Sequence, residues 1–158
     1  MKIRIATEND LDDICVLSDQ INTTHHRNAP NIFSKPDRSE RDRVFWLNNI
    51  AKENSVFFVI ESDGKVQGFI TARITENTEI TFLVRKKVCR IGTIVVADTQ
   101  QRKGLGKAMM QKIEQWALDA GADEIVLEVM QFNSNAQQFY DSIGYANQSH
   151  ILSKSIVC

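Results

Sequence analysis

The sequence predicts an α/β or α+β fold built on one mixed central sheet, and three observations predict it. Short β-rich runs alternate with amphipathic helical runs along the 158 residues. The Asp63-Gly64 pair between two β-rich runs marks an antiparallel hairpin. The second half then settles into strand, helix, strand, helix, strand, an order that adds helix-connected strands to the same sheet.

The elements follow in chain order. Lys2 to Ala6 reads as a short strand. Thr7 caps the next helix, with Asp10 three residues on in the place a capping box gives to Glu. Leu11, Ile14, Cys15 and Ile21 fall at helical spacing, with Leu17 at the border of the stripe and Ser18 within it. Asn22 to Pro36 is a polar segment that holds both prolines, Pro30 and Pro36. Arg38 to Ala51 reads as a helix that buries some combination of Val44, Phe45, Trp46 and Leu47. Ser55 to Ser62 and Val66 to Ile74 form the hairpin, and Glu76-Asn77-Thr78 is a second turn. Ile80 to Val84 and Val88 to Val96 supply further strands, joined by a solvated Arg85-Lys86-Lys87 loop. Leu105, Met109, Ile113, Trp116, Ala117 and Ala120 mark one face of a helix that Gly121 ends. Glu124 to Met130 is a strand, Ser134 to Ile143 a helix ended by Gly144, and Tyr145 to Val157 one or two closing strands.

Length and 42% hydrophobic content suit one domain, residues 1 to 158, without repeat, linker or low-complexity tract. With 19 basic and 20 acidic residues, composition gives no push toward nucleic acid or a membrane surface. Cys15, Cys89 and Cys158 form an odd set without a C-x-x-C pair, which reads as reduced thiols in a cytoplasmic protein. The longest apolar run, Val56 to Ile60, is far short of a membrane span, and no targeting segment is evident.

The most informative stretch is Gln101-Arg102-Lys103-Gly104-Leu105-Gly106-Lys107, between the apolar Ile94-Val95-Val96 and a helix. Glycines at such a junction let the backbone approach a ligand, and the first helical turn offers unpaired N–H groups to an anion. A P-loop is excluded, since Gln101 holds its first glycine position and Ala108 follows Lys107. A dinucleotide fingerprint fits poorly, since Met109 holds its third glycine position.

The stretch matches [QR]-x-x-G-x-[GA], and Asn133, Ala136, Phe139, Tyr140, Gly144 and Tyr145 match N-x-x-A-x-x-[FLM]-Y-x-x-x-G-[FY] in register. Residues 91 to 146 thereby resemble the GNAT superfamily of acyl-CoA N-acyltransferases. The Leu127-Glu128-Val129 strand before the Asn is similar to that of enzymes acetylating the N-terminus of ribosomal proteins. Over residues 1 to 75 only the element order agrees. The resemblance implies a GNAT-like single domain, with a mostly antiparallel sheet of six to seven strands and about four helices. It also implies acetyl-CoA as co-substrate, with no metal.

Acetyl transfer to an amine needs the donor held, the carbonyl polarised, the amine deprotonated and the thiolate protonated. The resemblance assigns the holding to backbone N–H groups from Arg102 to Lys107. Side chains of Arg102, Lys103 and Lys107 either add charge or are simply solvated. It assigns the carbonyl to the strand Ile94-Val95-Val96, with the N–H of Val95 or Val96 aimed at the thioester oxygen; such a donor contributes about 2.7–4 kcal/mol. Glu128 is the candidate base, directly or through water, because a carboxylate set in an apolar run is pushed toward the range of a useful base. The alternative is an exposed strand glutamate. Tyr140, at helical spacing from Ala136 and Ile143, is explained by packing alone or, by resemblance, as the general acid. Asn133 binds the pantetheine arm by resemblance, although it or Ser134 is equally suited to cap the helix.

The acceptor side is expected in the Asn22 to Pro36 segment and the Arg85 to Arg90 loop. His25, His26, Pro30 and Phe33 resemble an H-x-x-x-x-P-x-x-F segment of other family members, and His25, His26 and Phe33 are the substrate-side candidates. The two histidines are adjacent and no acidic or cysteine partner completes a metal site. The acceptor is an amine of a small molecule or peptide, and a homodimer is compatible with the sequence. Two other readings stand beside this one: a transferase for a longer acyl-CoA, and a non-catalytic acyl-CoA sensor, for which Glu128 and Tyr140 would have no use.

Overall fold

A computed structural model describes residues 1–37 and 40–157. It falls into two compact units, Met1–Glu128 and Val129–Cys158. The first holds β1 (Lys2–Ile5), α1 (Leu11–Asn28), α2 (Glu40–Asn49), β2 (Ser55–Ser62), β3 (Lys65–Glu76), β4 (Lys87–Val96), α3 (Leu105–Asp119) and β5 (Glu124–Val126). The second holds α4 (Ser134–Ser142). The sheet runs β1-β2-β3-β4-β5, antiparallel throughout except for the parallel β4–β5 pair. This is the mixed, mostly antiparallel sheet and four-helix complement expected.

Alternation along β2 and β3 divides the core between two faces. One face buries Phe57, Val59, Val66, Phe69 and Val95 with Leu11, Ile14 and Leu17 of α1 and Trp46 of α2. The Trp46 ring meets Phe69 at 5.0 Å and Phe57 at 5.8 Å, both edge-on. On the other face α3 buries Leu105, Met109, Met110, Ile113 and Ala117. Full burial of such a side chain stabilises the fold by about 1.5–3 kcal/mol.

Helix α1 runs well beyond Ile21, through half of the segment read as polar chain. Nothing from Asn22 to Asn28 breaks a helix, and the stop comes where Ala29 (φ −142°, ψ 66°) precedes Pro30. At its start the Thr7 N–H donates to Asp10 Oδ2 at 2.8 Å, the Asp10 half of the expected capping box. Asp10 is buried, and Arg4 holds both its oxygens at 2.8 Å while donating from Nε to Glu61 at 2.7 Å. In α2 only Trp46 is buried; Val44, Phe45 and Leu47 are exposed, and Arg38 and Ser39 of the expected helix lie outside the described residues. Cys15 packs against the α1 core cluster, as its place on the apolar face suggested, and burial pushes its thiol up.

Among the described residues the sheet has five strands rather than six to seven. Ile80 to Val84 forms no strand. The Asn77 carboxamide accepts from the Ile80 N–H (3.1 Å) and donates to the Ile80 carbonyl (2.9 Å), which curls the chain and leaves Phe82 and Val84 exposed. Arg85 and Lys87 are exposed, as a solvated stretch would be, while ion pairs and one backbone bond anchor the segment. Arg85 pairs with Glu76, Lys86 with Glu124, and Lys87 opens β4 with its N–H on Asp123 Oδ2 at 2.9 Å. Within the second unit, residues 145–157 enter no strand. Among the described residues no helix is long and apolar enough to cross a membrane.

Candidate active site

Strand β4 outruns its neighbour β5. Their parallel pairing covers Val88, Cys89 and Arg90 and stops there, because β5 ends at Val126. On its other side β4 stays paired with β3 to Val96, through an irregularity at Gly92. The ladder fixes which backbone groups face which way. The Ala97 N–H donates to the Gln67 carbonyl of β3 at 2.8 Å, and antiparallel pairs alternate. With Val95 opposite Phe69, the polar groups of Val95 turn toward β3 and those of Ile94 and Val96 turn away. Of the two N–H groups expected at the thioester, Val95 is thus committed to the sheet, and Val96, with Ile94, lies on the open edge.

A side chain closes that edge at its C-terminal end. Gln20 of α1 donates from Nε2 to the Val96 carbonyl (2.9 Å) and accepts the Asp98 N–H on Oε1 (3.0 Å). It also lines a surface groove of about 370 Å³ with Asp19, Thr23, Arg27 and Asp98. No local signal marks Gln20 in the sequence, since its partners lie 76 and 78 residues away.

The glycine turn follows directly. Arg102 (φ 62°) and Gly104 (φ 83°) are left-handed on either side of Lys103, which curls consecutive N–H groups toward one side. The first α3 bond runs from the Ala108 N–H to the Gly104 carbonyl at 3.0 Å. The N–H groups of Leu105, Gly106 and Lys107 therefore have no intrahelical acceptor. A Cβ placed on Gly104 would meet nothing within 4 Å. Gln101 is held by Asp98 (2.9 Å) and Lys103 by Gln100 (3.1 Å), while Arg102 and Lys107 are exposed. Amides without an intrahelical acceptor, a helix N-terminus and exposed basic side chains fit a pyrophosphate-bearing ligand.

His25 and His26 sit on the last turn of α1, and Phe33 folds back onto them. The Phe33 ring lies 4.6 Å from that of His25, and its carbonyl accepts from His26 Nδ1 at 2.8 Å. His25 Nδ1 donates to the Ile21 carbonyl at 2.8 Å. A carbonyl only accepts, so both Nδ1 atoms carry the proton and a neutral ring presents its lone pair at Nε2. The three substrate-side candidates are brought together.

Glu128 lies two residues past the end of β5 and is exposed, in place of the apolar surround its run suggested. In the second unit Asn133 caps α4, its Oδ1 accepting the Ala136 N–H at 3.2 Å, so of the two capping candidates Asn133 takes the part. Tyr140 is buried, with the Phe139 and Tyr145 rings at 5.2 and 5.9 Å. Burial pushes its phenol up to about 12. Among the described residues no group of three or more His, Cys, Asp or Glu could hold a metal ion.

Several known proteins are similar to this chain. An N-alpha-acetyltransferase of Sulfurisphaera tokodaii is 30% identical over 106 residues, 64% of this chain and 62% of that one. The chain spans only 41% of the length of mouse N-acetyltransferase family 8 member 3 and 40% of human N-acetyltransferase 8, which it also matches. Among solved structures, a mutant of the BH1408 protein from Bacillus halodurans superposes with a TM-score of 0.94 at 22% identity, over 99% of this chain and 100% of that one. The aminoglycoside N-acetyltransferase AAC(6')-Iy, solved with a CoA-linked bisubstrate analog, superposes at 0.77 with 16% identity, over 99% and 98%. Residues 20–145 match the Acetyltransferase (GNAT) family, spanning β4, the glycine turn and α4, and the chain belongs to that family.

Proposed function

We propose that the protein moves an acetyl group from acetyl-CoA to a primary amine of a small molecule or protein, by direct transfer with both substrates bound. The observation that carries this reading is the open edge of β4 running into the glycine turn. An extended amide-bearing arm adds to such an edge as a further strand would. Its pyrophosphate then falls to the amides of Arg102 to Lys107. That a protein of the same fold binds a CoA-linked analog supports the same donor here.

The edge groups give the donor carbonyl a partner. The Val96 or Ile94 N–H polarises the thioester oxygen. The alkylamine acceptor, with a pKa of about 10, must lose a proton before it attacks. Glu128 takes it, and its exposure favours a path through water. The amine nitrogen bonds to the acetyl carbon, the carbon–sulfur bond breaks, and Tyr140 gives its proton to the leaving thiolate. The second proton, shed by the new amide nitrogen, passes through water to restore the phenol. A phenol held near 12 stays protonated at neutral pH, which suits a donor. Asn133 contacts the pantetheine arm with the part of its carboxamide that the cap leaves over. His25, His26 and Phe33 face the acceptor.

Release of free CoA thiol, measured with acetyl-CoA over a panel of amines and peptides, tests the reading. Turnover with at least one amine class is expected, together with a rise in melting temperature on adding CoA. No CoA-dependent shift would remove the donor, and a shift without turnover on any amine would favour a binding protein.

A further inference from the structure

The Gln20 carboxamide imitates a residue of a neighbouring strand. In a parallel pair, one residue donates its N–H to the carbonyl before its partner and accepts from the N–H after it. Gln20 does the same around Ala97, donating to the Val96 carbonyl (2.9 Å) and accepting from the Asp98 N–H (3.0 Å). Both groups face away from β3, since the Ala97 N–H is the one that bonds Gln67. The side chain thus supplies one rung of a strand that is otherwise missing from Ile91 onward.

We propose that Gln20 is a positioning residue for the acyl donor, closing the open edge of β4 so that an added chain must pair at Ile94 and Val96 and no farther. The proposal rests on the reading of that edge as the donor site. The Val96 carbonyl would let an incoming amide pair one rung too far, and Gln20 removes it from the edge. What stays open is the Ile94 N–H and carbonyl and the Val96 N–H, one strand period. Gln20 also fixes Asp98, whose carboxylate accepts from Gln101 at 2.9 Å, and so sets the spacing between the edge and the glycine turn. Both contacts come from α1, the helix whose last turn carries His25 and His26.

Two substitutions in the full chain test this. Gln20→Leu removes both bonds at similar size. Gln20→Glu, when ionised, accepts from Asp98 but sets a carboxylate against the Val96 carbonyl. When protonated it restores one donor and one acceptor, the pattern of the carboxamide. Acetyl-CoA affinity is measured by calorimetry from about pH 8 to about pH 5, a range that approaches the ordinary glutamic acid pKa. Each variant is expected to bind about tenfold more weakly than wild type at the upper end. The ratio of wild-type to Gln20→Glu affinity should shrink as pH falls, while that for Gln20→Leu stays constant. Amide exchange at Asp98 in the unliganded protein should speed up in Gln20→Leu. Equal affinities, or a Gln20→Glu ratio that ignores pH, would overturn the proposal. Fast Asp98 exchange in Gln20→Leu with no CoA binding by wild type would overturn the donor reading itself.

Discussion

Gly68 of β3 lies so close to Val95 of β4 that a Cβ at position 68 would stand 2.6 Å from the Val95 carbonyl oxygen. Ile60 Cγ2 at 3.2 Å and Met109 Cε at 3.3 Å close the remaining directions. The side chains have some freedom to shift, but the carbonyl belongs to a ladder. Gly68→Ala is therefore expected to cost about 1–3 kcal/mol and to displace β4 beside its open edge. Denaturant unfolding and acetyl-CoA titration should both register it. A variant with wild-type stability would mean that the two strands part more easily there than their spacing implies.

Gly104→Ala should separate binding from folding. The φ of 83° costs a residue with a Cβ about 1–2 kcal/mol, and the added methyl strikes nothing within 4 Å. The fold is expected to survive while the turn relaxes toward negative φ and its amides diverge. Most of the CoA-dependent gain in melting temperature should vanish, with a much smaller change in the free protein. An undiminished gain would take this turn out of the donor site.

Asp10 predicts an acid-sensitive core. The Arg4 guanidinium holds its carboxyl below the usual range, against the opposing effect of burial. A depressed pKa stabilises the fold above the unfolded-state value of about 3.9, and that stability is lost as pH falls through the lower folded-state value. Asp10→Asn is expected to lower stability near neutrality by about 1–3 kcal/mol. Wild type and variant should converge as both are acidified below about pH 4. Parallel melting curves down to about pH 2 would show that the Arg4 pair contributes nothing specific.

Tyr140→Phe removes one oxygen and leaves the ring between Phe139 and Tyr145. If the phenol is the proton donor, turnover should fall by about 10²–10⁴ with acetyl-CoA affinity nearly unchanged. Rapid-quench or thiol-release kinetics beside a binding titration would read the two apart. Equal losses in both would mark Tyr140 as a packing residue.

How much of this was legible in the sequence differs by segment. The strand, glycine turn and helix around Gly104 were plain, because positive φ and an amphipathic stripe are local properties. Ile80 to Val84 misled, since its apolar residues have strand composition; only the Asn77 carboxamide, bonding both polar groups of Ile80, turns the chain instead. His25 and His26 fell in a segment read only as polar because the apolar stripe of α1 ends at Ile21, although no proline or glycine before Pro30 breaks the helix. The close approach at Gly68 had a faint trace, an isolated glycine inside a strand. The choice between Val95 and Val96 had none, because it depends on ladder parity set across the sheet by Gln67 and Ala97.

The parity of β4 has a consequence for how this protein can change over generations. What the strand offers on its open edge is main chain, which every amino acid other than proline supplies in full. Substitutions at Ile94 or Val96 that keep the strand leave those groups in place. On the proposed reading of that edge, the donor half is insulated from sequence drift, and the surface around His25 and Phe33, beyond Gln20, can be rebuilt for a new acceptor without disturbing it.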